Sequence, residues 1–299
     1  MDKKGPAGVY TPGVGRVLTK SLEGDVVQIV SGGVSDVGRV RTNNEDSYQI
    51  VAPLNLFILS DGMGGEAHGE IASSMAIETV AKYCSEAEES KDDSGVTLHG
   101  TAQESWSPNT KRLQNAVFQA NFNIYRSAQE HPEQRGMGAT LTVGWVNGSK
   151  LSLAHVGDSR AYLLRTGSLQ QLTNDHSLVA EQVRRGILTP QQAEESDMQS
   201  VLLRALGAHP EVEVDIDEID LLPRDMLLFC SDGLTRLVTE PEIAGCLQAE
   251  TDPATAAQKL VDLANERGGL DNVTVIVARL QDESKGWFSW LRRDSGKKE

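Results

Sequence analysis

Three aspartates in this chain of 299 residues stand beside glycine at the ends of apolar runs. They are Asp61-Gly62 after Phe57-Ile-Leu-Ser60, Asp232-Gly233 after Leu227-Leu-Phe-Cys-Ser231, and Gly157-Asp158 after Leu151-Ser-Leu-Ala-His-Val156. A carboxylate at the mouth of a buried strand is held rigidly, and a neighbouring glycine lets the backbone carbonyl approach a cation closely. Mg²⁺ and Mn²⁺ take oxygen ligands in octahedral shells and keep several waters, so a few aspartates and one carbonyl suffice. A single Asp-Gly pair is read as a turn; three at strand ends point to a hard-metal centre. A fourth acid, Asp271 in Gly268-Gly269-Leu270-Asp271-Asn272, precedes another apolar run and on its own would be a turn residue. Arg41 lies in a turn-rich stretch from Ser35-Asp36-Val37-Gly38 to Arg41-Thr42-Asn43-Asn44-Glu45-Asp46. A guanidinium fork can bind two phosphate oxygens at once, although an isolated surface arginine more often pairs with an acid.

Forty-three Asp and Glu against 28 Lys and Arg give a formal charge of −15, which repels nucleic-acid backbones and disfavours anionic membranes as principal partners. A phosphate-bearing substrate would need local positive charge. Cations supply it where converging carboxylates would otherwise repel one another. Cys84, Cys230 and Cys246 are widely spaced with no Cys-x-x-Cys pair, so neither a disulfide framework nor a zinc site is expected and a reducing cytosol fits. The first 30 residues carry Lys3 and Lys4 but no apolar secretory core, and no apolar run reaches the roughly 18 residues that would cross a bilayer. The expectation is a soluble, cytoplasmic protein.

The elements that position these acids follow from periodicity. Residues 1–24, with Gly5, Pro6, Gly8, Pro12, Gly13 and Gly15, read as a flexible tail, and the folded domain is expected over 25–281 with a first strand near 26–30. Strands are predicted at 46–51 and 56–59. Ala72, Met75, Ala76, Thr79, Val80 and Tyr83 share one helical face, predicting a helix over 69–84. A second helix is predicted over 111–130, with Leu113, Ala116, Val117, Ala120 and Ile124 inward. Between them, 85–110 carries Glu86, Glu88, Glu89, Asp92 and Asp93 and buries too little apolar surface to order itself, reading as a mobile acidic insertion. Alternating runs at 139–146, 150–156, 160–165 and 168–172, with turns at Asn147-Gly148 and Thr166-Gly167, predict an antiparallel meander. Two short helices are predicted within 177–197, the second starting at Thr189-Pro190. Strands at 212–216, 226–230 and 273–280 and helices near 241–247 and 253–266 complete a layered α+β domain of antiparallel sheets covered by helices.

Read in order, the chain carries Ser35-Asp-x-Gly-x-x-Arg41-x-x-Asn44-Glu-Asp46, Asp61-Gly-Met-Gly-Gly65, Gly138-Ala-Thr-Leu141, Gly157-Asp-Ser-Arg160, Ser231-Asp-Gly-Leu-Thr235 and Asp271-Asn272. This ordered set, over about residues 26–281, resembles the protein phosphatase 2C family, the metal-dependent PPM-type phosphatases, and especially its bacterial members. The resemblance implies a four-layer αββα sandwich, two central antiparallel β-sheets flanked by helix pairs. It also implies hydrolysis of phosphoserine and phosphothreonine on proteins at a centre of two Mn²⁺ or Mg²⁺ ions with an optional third. By the same resemblance Asp61 bridges two metals, the Gly62 carbonyl serves one, Asp232 and Asp271 complete the other, and Asp158 shares the third with Asp232. Glu45 and Asp46 match acids that orient metal-bound water, and Arg41 matches the phosphate-binding arginine. Water between two cations loses its proton more readily than bulk water and lies ready for in-line attack, so no covalent phosphoenzyme is needed.

The chain departs from the family at the leaving-group acid. Met63 replaces the histidine of animal members, as bacterial relatives commonly do, and Glu66 stands where those relatives often carry histidine. His68, at the start of a helix, is the candidate proton donor. His155 reads as a structural residue inside a strand, and His176 as a candidate for substrate contact. Residues 174–207 occupy the place of the family's flap, where Arg184, Arg185 and Arg204 are candidates for phosphopeptide contact. The tail 282–299 is aromatic and basic, and its 287–293 segment, Trp287-Phe288-Ser289-Trp290-Leu291-Arg292-Arg293, is a candidate for weak membrane or docking contact that would associate a cytoplasmic protein with the membrane. The partners implied are phosphorylated proteins and a cognate Ser/Thr kinase, without nucleic acid, and a monomer is expected. A binding module of the same fold would lose metal acids that this chain keeps. A phosphoesterase acting on small molecules stays open at this point, because metals and arginine recognise phosphate rather than its carrier.

Overall fold

The computed structural model describes residues 15–18, 28–64, 68–90 and 105–281. The first half comprises β1 Gly15–Leu18, β2 Gln28–Asp36, β3 Asp46–Val51, β4 Leu56–Met63, α1 His68–Ser90 and α2 Pro108–Glu130. A run of short strands follows: β5 Gly138–Ala139, β6 Leu141–Asn147, β7 Lys150–Val156, β8 Arg160–Arg165 and β9 Ser168–Gln171. After α3 Leu178–Arg184 and α4 Pro190–Glu194 come β10 Asp215–Asp220, β11 Met226–Cys230, α5 Asp232–Thr235, α6 Glu240–Ala249, α7 Pro253–Glu266 and β12 Val273–Leu280.

The strands form two six-stranded sheets. One runs β1-β2-β12-β11-β8-β9; the other runs β10-β7-β6-β4-β3, with β5 paired to β4. All the pairings are antiparallel. Because side chains alternate across a strand, each sheet feeds two cores. On β4, Phe57 and Leu59 meet Phe229 and Leu227 of β11 and Ile276 of β12 between the sheets, while Leu56 and Ile58 turn outward to α1 and α2, among Ala76, Val80, Leu113 and Ile124. On the other sheet, Leu228, Cys230, Val275 and Val277 turn outward to α6 and α7, against Ile243, Leu247, Leu260 and Val261. Three cores separated by two sheets make the four-layer αββα sandwich. Among the described residues no helix is long and apolar enough to cross a membrane.

Several expectations are corrected. Gly15–Leu18, placed in the flexible tail, is a strand paired with β2 in the register Gly15↔Ser31 to Leu18↔Gln28; its glycine-rich surroundings hid a ladder that needs only a partner edge. The helix predicted to end at 84 runs to Ser90, and the next begins at Pro108 with Ser107 as its cap, so the acidic insertion contributes helix ends and its residues 91–104 lie outside the described residues. The predicted meander is broken: β7 and β8 belong to different sheets, because Gly157-Asp158-Ser159 carries the chain across the sandwich. The strand predicted at 212–216 begins instead at Asp215; Val212 and Val214 pack against the α1–α2 core ahead of it, which gives them their apolar signal. The tail 282–299, with its candidate 287–293 segment, lies outside the described residues. Cys84, Cys230 and Cys246 are free thiols, and burial pushes Cys230 up to about 12, as befits a small core residue.

The sheets approach closely where Gly144 of β6 faces Phe229, whose ring stacks on Phe57 at 5.8 Å. A Cβ on Gly144 would lie 2.4 Å from Phe229 Cζ, whereas one on Gly245 in α6 would meet nothing within 4 Å. Gly144→Ala is therefore expected to destabilise by about 1–3 kcal/mol through overpacking, and Gly245→Ala to stabilise by about 0.5–1 kcal/mol. Equilibrium denaturant unfolding of the two variants checks both signs.

Candidate metal centre

Strand parity decides which polar groups enter the gap between the sheets. Continuing the inward series Phe57, Leu59 along β4 places Asp61 inward, and Tyr48 and Ile50 of β3 place Asp46 there, directly opposite Asp61 in the register. Leu227 and Phe229 lead in the same way to Ser231, and Ile276 and Ala278 lead back to Thr274. The Ser231 and Thr274 hydroxyls both donate to Asp46 Oδ2, at 2.8 and 2.7 Å, so the acid on one sheet is held by two hydroxyls on the other. Asp46 Oδ1 is buried with no protein partner.

Each remaining acid has its own backbone fixture. Thr140 holds Asp61 twice, donating its N–H to the Asp61 carbonyl at 2.8 Å and accepting the Asp61 N–H on its hydroxyl at 2.9 Å. Asp158 follows Gly157, whose φ of +113° and close packing on Thr140 exclude a side chain. Asp232 is the first residue of α5. Asp271 is set by Gly38, where a Cβ would lie 2.3 Å from the Asp271 carbonyl oxygen, and by Asn272. The Asn272 side chain donates to the carbonyls of Val37 and Asn43 at 3.0 and 2.9 Å and accepts the Glu45 N–H at 2.8 Å. One buried amide thus fastens the whole 37–45 loop to the start of β12. Gly62 is also obligatory: a Cβ there would lie 2.1 Å from the Gly69 carbonyl oxygen and 2.7 Å from that of Glu45.

These acids disturb one another. Burial first, and neighbouring carboxylates after it, hold Asp46, Asp61, Asp158 and Asp232 above the usual carboxylate range. Asp61 is the hub, since Asp46, Asp232, Asp158 and Asp271 all raise it. Burial raises Glu45 as well, against the lowering pull of Arg41. Two arginines lean in. Arg41 grips Asp271 through Nε and Nη2, both at 2.9 Å, and Arg236 reaches Asp232 at 2.5 Å and Asp271 at 3.6 Å. Among the described residues no three acid, histidine or cysteine side chains enclose a single point as a finished metal shell; Asp232 and Asp271 are turned to guanidinium groups. The donor set nevertheless fits a hard cation: it is all oxygen, its members repel one another without one, and Asp46 Oδ1 is left unpaired beside them.

The sequence-predicted Asp46, Asp61, Gly62, Asp158, Asp232, Asp271, Glu45 and Arg41 are thus brought to one end of the sandwich. His68 opens α1 next to Gly69, whose backbone touches Gly62 and Glu45; Glu66 lies outside the described residues. His176 does not face substrate. It is 3% exposed, accepts the Gly157 N–H on Nδ1 at 3.1 Å and so donates from Nε2 to Asp215 at 3.2 Å. His155 lies beside it with the rings tilted by 40°, centroids 4.9 Å apart, between the Thr142 hydroxyl and the Gly157 and Asn174 carbonyls. The flap arginines are also engaged, Arg184 and Arg185 with Glu181 and Arg204 with Glu213 and Asp215. Sequence reading missed Arg236, although its place four residues after Asp232 is the spacing that puts two side chains on one helical face.

A profile of the family described as Protein phosphatase 2C matches residues 38–265. Serine/threonine protein phosphatase PstP of Mycobacterium tuberculosis is 39% identical over 252 residues, covering 84% of this chain and 45% of that protein, so the chain spans less than half of that relative. Serine/threonine phosphatase stp of Listeria welshimeri is 34% identical over 255 residues, covering 84% of this chain and 96% of that one. Among solved structures, the catalytic domain of PstP in complex with 2 manganese ions aligns with a TM-score of 0.71 at 38% identity, over 86% of this chain and 99% of that one.

Two outcomes are expected from this geometry. Asn272→Ala removes the loop fastener and leaves buried groups unpaired, at a cost of about 1–3 kcal/mol in unfolding free energy. Burial pushes His155 down to about 4, so between pH 6.5 and 4 the unfolded chain takes up the proton before the folded one. Its stabilising contribution is full above pH 6.5 and is lost as pH falls to 4, by about 3 kcal/mol. Denaturant unfolding across that window should show a shallower decline for His155→Gln; identical pH slopes would remove His155 from the account.

Proposed function

The chain belongs to the protein phosphatase 2C family, and on that premise we propose that it hydrolyses phosphoserine and phosphothreonine on proteins with the help of two Mn²⁺ or Mg²⁺ ions. The observation that carries this reading is the convergence of Asp46, Asp158, Asp232 and Asp271 on Asp61, each of which opposes its ionisation until a cation sits among them. Asp61, the Gly62 carbonyl, Asp232 and Asp271 would hold the two core ions, with Asp158 and Asp232 available to a third. Such ions supply a water of lowered pKa and neutralise phosphate charge.

The protein's own groups do the rest. Arg41, with 54% of its side chain exposed at the rim, offers a planar fork to two phosphate oxygens. Asp46 Oδ1 has no protein partner and can accept a hydrogen bond from the attacking water, while its other oxygen is immobilised by Ser231 and Thr274. Glu45, touching Gly69 at the start of α1, shares that orienting role. His68 is the proposed donor of a proton to the departing serine or threonine oxygen. The catalytic unit covers 25–281, extended at its edge by β1, with 174–207 as the flap beside the centre. The partners are phosphorylated proteins and a Ser/Thr kinase whose products the enzyme reverses; the protein acts as a cytoplasmic monomer.

The test is turnover of phosphothreonine peptides and p-nitrophenyl phosphate with Mn²⁺, with EDTA, and in Asp232→Ala. EDTA should stop turnover, and Asp232→Ala should lower it by more than about 100-fold, the scale of losing one charge-stabilising contact. Saturating Mn²⁺ at about 100 times its Kd should stabilise the fold by about 2.7 kcal/mol, a rise of about 5 °C or more in Tm for a domain of this size. Metal-independent turnover, or full activity in Asp232→Ala, would sink the mechanism.

A further inference from the structure

We propose that Arg236 is a second phosphate-contacting arginine, acting with Arg41 on the phosphate group of the substrate; this rests on the phosphatase reading and adds a residue to it. Arg236 is anchored where it must be. Its backbone N–H bonds the Asp232 carbonyl at 2.9 Å, and the turn that carries it is pinned by the buried Leu234 and Val238. From there the guanidinium lies over the centre, at 2.5 Å from Asp232 Oδ2 and 3.6 Å from Asp271 Oδ2. Arg41 holds the same Asp271 through two nitrogens, so two guanidinium groups flank one carboxylate. A group bound at that carboxylate is within side-chain reach of both.

Charge balance gives the pair a reason. A phosphate monoester is close to a dianion at neutral pH and takes arginine in bidentate fashion. When ionised, Asp46, Asp61, Asp158, Asp232, Asp271 and Glu45 bring six negative charges, against which two divalent ions and Arg41 supply five positive ones. A dianion would then approach a site of its own sign. Arg236 supplies the sixth positive charge. Its pairing also differs from that of arginines with structural work: Arg165 is locked on Asp225, at the far end of β11 from Asp232, and Arg267 on Glu242 of α6, whereas both carboxylates near Arg236 belong to the centre. Cations drawn to Asp232 and Asp271 would compete for those oxygens and free the guanidinium for phosphate.

The experiment uses the full chain with saturating Mn²⁺ and compares the unsubstituted protein with Arg236→Gln and Arg236→Lys. It reads kcat and KM on a phosphothreonine peptide, the inhibition constant of inorganic phosphate, and Mn²⁺ affinity by calorimetry. Arg236→Gln should raise KM and the phosphate inhibition constant by about tenfold each, the scale of one charged hydrogen-bonded contact. Its kcat should stay within about threefold, its Mn²⁺ affinity should be unchanged or tighter, and Arg236→Lys should recover part of the loss. An unchanged phosphate inhibition constant in Arg236→Gln overturns the proposal. So does a matching loss of Mn²⁺ affinity, which would make Arg236 a positioning residue for the metal ligands. No turnover by the unsubstituted protein sinks the phosphatase reading and this one together; turnover with unaltered constants in the variant sinks this one alone.

Discussion

Like charges forced together at the end of a narrow gap between two sheets set the terms for the rest of this molecule. Asp46 and Asp61 stand opposite each other on neighbouring strands, where unscreened carboxylates destabilise a ladder, and Asp158, Asp232 and Asp271 add to the repulsion. Hydroxyls hold Asp46 and guanidinium groups hold Asp232 and Asp271, but no side-chain bond by itself keeps the acids together. The backbone does, and the packing of three cores around two sheets makes that backbone stiff enough to do so. Phe57 against Phe229 and the bare Gly144 beneath them fix the spacing of the sheets, and with it how closely Asp46 and Asp61 on one sheet approach Asp232 and Asp271 at the ends of the other.

The fixtures around the centre share one design. Asp46 is tied by hydroxyls from the opposing sheet, Asp61 by both polar groups of Thr140, and Asp271 by the Asn272 amide and the bare Gly38. Asp46 is fixed by its side chain and keeps one oxygen unpaired, whereas Asp61 and Asp271 are fixed through the backbone that carries them. Thr140 also packs on Gly157 and bonds the Ser159 hydroxyl at 2.8 Å, so the segment that crosses from one sheet to the other is seated on the residue that seats Asp61. His155 and His176 close that crossing from behind, and Asp215 and Arg204 link it to the base of the 174–207 segment. The crossing segment is therefore fastened on both sides, at Thr140 and at the histidine pair.

Arginine plays the counterpart to the acids. Arg41 and Arg236 come from distant parts of the sequence and meet at Asp271, where a planar, always-charged fork can share carboxylate oxygens. A lysine would offer a point charge without the planar geometry. Two guanidinium groups thus lie against carboxylates that the fold holds in place.

By itself the sequence determined the layered α+β class, the period of most strands and helices, and the identity of the acids, because Asp-Gly after an apolar run is a local pattern. Glycines at 38, 62 and 157 were legible as features, and the resemblance carried by the ordered motifs gave the acids their expected partners. Only the tertiary structure showed why those glycines are required, since the clashing atoms belong to Asp271, Gly69 and Thr140, which folding brings against them. The edge strand Gly15–Leu18 was invisible because a ladder partner, not its own residues, defines it. The continuous meander was mistaken because alternation reads the same whether the next strand joins the same sheet or crosses to the other. His176 looked accessible and Arg236 drew no notice, for burial and ion pairing depend on what the fold brings alongside. Local pattern fixes which groups can do chemistry; only close packing of remote segments decides which of them meet.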